Sequence, residues 1–151
     1  MNAPELHISK WFNTPEPLSL EKLEGKVVVM HAFQMLCPGC VHYGIPQMAK
    51  IYEYLQNPDL VVIGLHSVFE HHEVMTPAAL EVFIHENKLK FPIGVDTPVK
   101  GSRIPLTMKA YGMQGTPSTI IIDRAGKPRF HYFGHREDIV VGAAIGNLLQ
   151  N

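Results

Sequence analysis

The sequence predicts an α/β fold, a central mixed β-sheet flanked by helices, on three observations. Residues 27–33 and 60–65 are near-continuous apolar runs rich in β-branched residues, the pattern of strands buried on both faces. Between them Val41, Ile45, Met48, Tyr52 and Leu55 recur at spacings of four, three, four and three, one face of a helix. Near the C-terminus, residues 119–122 and 129–133 flank Asp123-Arg-Ala-Gly126, which reads as a hairpin turn.

The elements follow in order. Residues 1–24 hold the turn formers Asn13, Thr14, Pro15 and Pro17 and read as an irregular N-terminal extension of one domain whose body spans 25–151. Within it, residues 18–23 suit a short helix ending at Gly25. The 27–33 strand, the following helix and the 60–65 strand form a βαβ unit, so the two strands run parallel. Asn57-Pro58-Asp59 breaks that helix. Thr76 and Pro77 open another, a capping residue before proline at the first helical position, with Leu80, Phe83 and Ile84 on its apolar face. Residues 91–95 read as a short edge strand, because Pro92 has no N–H for a ladder. A helix is expected at 105–111, and a last one at 136–150 with Ile139, Val140, Ala143 and Leu148 inward.

Composition narrows the function classes. With 13 Lys and Arg against 14 Asp and Glu, the net charge is −1, so no basic stripe points to nucleic acid or to an anionic membrane. No apolar run approaches the roughly 18 residues of a membrane span. The first residues lack a charged stretch followed by an apolar one, which with Met1 as the start implies a cytoplasmic protein.

The chain has two cysteines, Cys37 and Cys40. That is too few for a disulfide scaffold; a pair one helical turn apart points to redox chemistry or to half of a metal site. The pair follows a buried strand and opens an amphipathic helix. Cys37 then sits where free N–H groups and the helix dipole favour a thiolate; thiols so placed have pKa values lowered from about 8.5 to as little as about 3.5. Pro38 suits the first helical position. Cys37 is the expected nucleophile, and Cys40, one turn deeper, the thiol that resolves the mixed disulfide.

The segment from Val27 to Cys40, with Cys37-Pro38-Gly39-Cys40 at its end, resembles the thioredoxin superfamily signature, and Gly115-Thr116-Pro117-Ser118 with the strand after it resembles that signature's second half. The similarity is to the TlpA-like, redoxin-type thiol–disulfide oxidoreductases and covers most of residues 18–150. It implies a thioredoxin-like fold in which Pro117 is a cis-proline facing the cysteines and Thr116 offers its backbone to a bound substrate strand. The implied reaction is disulfide exchange with a protein or small thiol, supported by a separate reductant. No cofactor is needed beyond the redox-active disulfide Cys37–Cys40.

Three positions depart from that pattern. Leu36 stands where many members carry Trp, which alters the substrate surface. His31 stands where thioredoxins carry a buried Asp, and Tyr43 where TlpA-like proteins often carry an acid. The helix proline, if Pro46 is its counterpart, is displaced by one residue, a shift that a local helical bulge absorbs. His31 has two readings: an imidazole that accepts and returns the Cys40 proton, or a core histidine bonded to its surroundings.

Two rival functions stay open. A peroxiredoxin-like peroxide reductase normally has Thr or Ser three residues before its reactive cysteine, where this chain has Gln34. A metal-binding or chaperone module would join Cys37 and Cys40 to His42, His66, His71 or His72, yet no second paired ligand motif is present.

Overall fold

The computed structural model describes residues 1–151. Six strands, β1 (Ile8–Phe12), β2 (Val27–Phe33), β3 (Leu60–His66), β4 (Ile93–Asp96), β5 (Ser118–Ile122) and β6 (Pro128–Phe133), form one mixed sheet in the order β1-β4-β3-β2-β5-β6. β2 pairs parallel with β3, and β3 with β4; the other three pairings are antiparallel. Four α-helices accompany it: α1 (Ile45–Tyr54), α2 (Pro77–Glu86), α3 (Leu106–Ala110) and α4 (Asp138–Gln150). No helix is long and apolar enough to cross a membrane.

All seven residues of β2 are buried, because each face of the sheet carries its own core. Val27, Val29 and Phe33 pack with Ile45, Met48, Leu80, Val141 and Ile145, which seats α1, α2 and α4 on one face. Val28, Met30 and Ala32 pack with Met108 and Met113 beside α3 on the other. His31 lies on the first face, between Gly64 of β3 and Thr119 of β5 in register.

Several expectations need correction. Residues 18–23 form turns, with the Leu23 N–H shared between Ser19 and Leu20 carbonyls at 3.2 Å each; the bonds that follow, Glu24 N–H to the Glu21 carbonyl and Lys26 N–H to the Leu23 carbonyl, span three residues each, so the segment closes as successive turns. Gly25 ends them at φ 89°, a left-handed conformation that favours glycine. The extension is also not wholly irregular: Ile8–Phe12 pairs antiparallel with β4 and forms the sheet edge, so the strand after Phe91 is internal. Pro92 escapes the penalty by preceding β4, where its carbonyl accepts from Gly64 N–H at 2.9 Å.

The helix faces are rotated from those expected. Ile45, Met48 and Ile51 are buried, whereas Val41, Tyr52 and Leu55 are exposed. A π-helical turn at Cys40–Gly44 precedes α1, and its extra residue turns everything beyond it by about 100°. That turn is the local bulge that accommodates Pro46. In α4, Val141, Ala144, Ile145 and Leu148 face inward, whereas Ile139 is 80% exposed and Val140 and Ala143 also face solvent. The run 139–141 is apolar throughout, so its periodicity does not select a face.

Candidate active site

The site lies where β2 ends, at the carboxyl end of the parallel strands, the usual place for α/β sites. The chain leaves β2, turns through Gln34–Leu36 and enters the helical segment at Pro38. The Val41 N–H bonds the Cys37 carbonyl at 3.0 Å, making Cys37 the residue that caps this segment. Its side chain is partly exposed, while Cys40 is fully buried. Burial, reinforced by the neighbouring Cys37 thiol, pushes the Cys40 thiol up to about 12.

Thr116 and Pro117 meet this pair from the start of β5. The peptide bond between them is cis. The Cys37 thiol donates to the Thr116 carbonyl at 3.6 Å, and the Thr116 hydroxyl, on the Cys40 side, favours the Cys40 thiolate. Pro117 rests on the helical segment: a Cβ on Gly39 would lie 3.4 Å from its Cδ. Leu36, 57% exposed, supplies an apolar rim next to Cys37. Cys37, Cys40, Leu36, Thr116 and Pro117 therefore form one constellation.

His31 lies behind it. Its Nδ1 is 2.9 Å from Thr119 Oγ1, its Nε2 is buried without a partner, and burial lowers its pKa to about 4. The ring fills the space that Gly44 leaves open, since a Cβ there would lie 2.4 Å from Nε2. The π-turn thus sets Gly44 against the sheet. Tyr43 is turned outward to pack on His135, with ring centroids 4.8 Å apart. His31 is not among the groups that hydrogen-bond Cys40.

The other histidines are dispersed. His66 is buried, and its Nε2 accepts from Met35 N–H at 3.2 Å; burial lowers its pKa to about 4. His72 Nε2 meets the Arg103 carbonyl at 3.1 Å. No group of three or more His, Cys, Asp or Glu side chains gathers as a metal-binding set.

Sequence reasoning missed two residues. Gln34 is buried between the site's two halves, with Nε2 on Thr116 Oγ1 at 3.1 Å and Oε1 accepting from Phe69 N–H at 3.1 Å. Asp96 is a buried carboxylate that accepts from Ser67 Oγ at 2.8 Å, Thr107 N–H at 2.8 Å and Met108 N–H at 2.9 Å. It braces the loop after β3 against α3. The available signal was a polar residue at the end of a buried strand, where its side chain reaches the next loop.

The sheet order, the flanking helices and the strand–cysteine–helix junction facing Pro117 define a thioredoxin-like fold. Residues 2–131 match the AhpC/TSA family. The chain belongs to that family and, within the thioredoxin superfamily, to the TlpA-like, redoxin-type thiol–disulfide oxidoreductases. It is 51% identical to a thioredoxin-like superfamily protein of known structure, at a TM-score of 0.97, covering 100% of this chain and 97% of that one. It is 54% identical to a thiol-disulfide isomerase from Corynebacterium glutamicum, at a TM-score of 0.94, covering 99% and 98% of the two chains. Against protein DipZ of Mycobacterium bovis it is 28% identical over 152 residues, which is 99% of this chain but 21% of DipZ.

Proposed function

We propose that this chain carries out thiol–disulfide exchange with Cys37 as nucleophile and Cys40 as resolving thiol, acting on a disulfide-bearing protein received by Leu36, Thr116 and Pro117. The observation that carries this reading is the asymmetry of the pair: Cys37 is partly exposed at a helix entrance, and Cys40 is sealed beneath it. The Cys37 sulfur attacks a substrate disulfide and one substrate sulfur leaves. Cys40 then attacks Cys37, the second substrate sulfur leaves, and Cys37–Cys40 is oxidised as the substrate gains two electrons and two protons. A separate reductant restores the dithiol. The isomerase named among the relatives supports this chemistry. The Gln34 amide is spent on Thr116 and Phe69, which disfavours peroxide as the substrate.

The direction we favour is reduction or relay. A reduction potential near thioredoxin's, about −270 mV, is expected, and one near −120 mV would reverse the direction.

A proton-relay role for His31 is the second part of this reading, and it is tested by the pH profile of exchange in His31→Ala. An unchanged profile with an intact fold removes it. For the main reading, Cys40→Ser should accumulate a mixed disulfide on Cys37 when mixed with insulin, detected by mass spectrometry, while the unaltered protein reduces insulin. Failure of the unaltered protein to reduce insulin, with no Cys37 adduct in the variant, sinks the proposal.

A further inference from the structure

Gln34 is 1% exposed, and its amide can face only one way. The Phe69 N–H at 3.1 Å must donate, so it meets Oε1; Nε2 therefore donates to Thr116 Oγ1 at 3.1 Å. A hydroxyl has one hydrogen to give and lone pairs to receive. With Gln34 donating to it, the Thr116 oxygen acts as acceptor on that side and its own hydrogen points elsewhere. The neighbouring group whose charged form such a hydrogen favours is the Cys40 sulfur, and the same residue's carbonyl already meets Cys37 Sγ at 3.6 Å. Since Cys40 is 0% exposed, water does not share in solvating charge there, so a fixed donor counts for more.

We infer that Gln34 is a positioning residue: it holds the Thr116 hydroxyl as an acceptor, aims that hydroxyl's hydrogen at Cys40 Sγ, and so stabilises the thiolate that Cys40 forms to resolve the mixed disulfide. This rests on the reading of Cys40 as the resolving thiol. In that step Cys40 gives up its proton and its sulfur bonds to Cys37 Sγ. The bond from Cys37 to the substrate sulfur breaks, and the substrate sulfur leaves with the electron pair and takes a proton from solvent. Thr116 gains and loses no proton; its hydroxyl donates to a sulfur on which charge develops, as a preorganised donor does for an oxyanion. One residue thus serves both thiols, through its carbonyl to Cys37 and its hydroxyl to Cys40.

The test uses the reduced full chain and Ellman's reagent in a stopped-flow instrument. Attack by Cys37 releases one chromophore in a second-order phase; resolution by Cys40 releases a second in a first-order phase. Gln34→Glu replaces the donor with an acceptor, which draws the Thr116 hydrogen away from Cys40. Loss of a hydrogen bond to a charged group is expected to slow the first-order phase roughly tenfold more than the second-order phase. Thr116→Val should produce the same imbalance, and Thr116→Ser, which keeps the hydroxyl, should restore the first-order phase. The Gln34→Glu/Thr116→Val double variant should resolve no more slowly than Thr116→Val, because Gln34 acts through the hydroxyl. An unchanged first-order phase in Gln34→Glu overturns the inference, as does additive slowing in the double variant. Should Gln34→Glu fail to fold, the Val and Ser variants at Thr116 decide alone: equal resolution rates overturn it. If the unaltered protein shows no second release at all, the resolving role of Cys40 falls, and this inference with it.

Discussion

Gly44 and His31 depend on each other. Gly44 has ordinary helical angles, φ −63° and ψ −56°, so propensity alone predicts that Gly44→Ala stabilises by about 1 kcal/mol. Packing predicts the reverse, because the new Cβ would lie 2.4 Å from His31 Nε2 and 2.8 Å from Cε1. The ring has little freedom to retreat, being buried and held at Nδ1 by Thr119. Overpacking of this kind costs about 1–3 kcal/mol, so it wins. Urea denaturation should find Gly44→Ala destabilised, and His31→Ala should relieve that added cost in the double variant; simple additivity would count against the contact.

At the scale of elements, two caps differ in what they guard. Thr76 Oγ1 accepts from Ala79 N–H at 3.2 Å at the start of α2, and losing such a cap costs about 1 kcal/mol. Asp96 serves three donors, two of them the N–H groups that open α3, and its removal leaves those buried donors without partners. Thr76→Ala should therefore cost about 1 kcal/mol and Asp96→Ala about 3 kcal/mol or more, both read from chemical denaturation. Equal costs would mean that the Asp96 network contributes nothing beyond one cap. The π-turn is the other feature of this scale. It lodges Pro46 in the helical segment, sets Gly44 against His31 and rotates α1, so one inserted residue changes which side chains make the core.

For the whole molecule, buried histidines set the response to acid. Burial lowers His31 and His66 to about 4 from an ordinary value of 6.5. Between those values the unfolded chain binds protons that the folded chain refuses, so stability rises with pH there and is lost as pH falls. Each histidine contributes up to roughly 3 kcal/mol across that window. Asp96 opposes the trend: its burial outweighs its hydrogen bonds and raises its pKa, so protonation on acidification favours the folded state. Urea titrations from pH 7 to pH 4 should show a net fall in stability, and His66→Gln, which keeps an acceptor for the Met35 N–H, should flatten it. A flat profile in the unaltered protein would contradict the burial of neutral imidazoles.

The βαβ unit, the C-terminal hairpin and the cysteine junction were legible in the sequence. Strand burial on both faces and helix-opening residues leave local signatures: Val27–Phe33 is apolar throughout, and Pro38 follows Cys37. Three things were decided only by the tertiary structure. The edge strand β1 forms because β4 offers it an unpaired edge, and five residues have too weak a pattern to announce that pairing. The inward face of α4 was chosen by docking, since Ile139, Val140 and Val141 are apolar in succession and point to three sides of the helix. The places of Gln34 and His31 depend on Thr116, Phe69 and Thr119, brought from distant parts of the chain. The sequence by itself thus determined where the two thiols sit and which of them is deeper. What surrounds them was left to packing, because a hydrogen-bond network among residues distant in sequence has no local pattern to read.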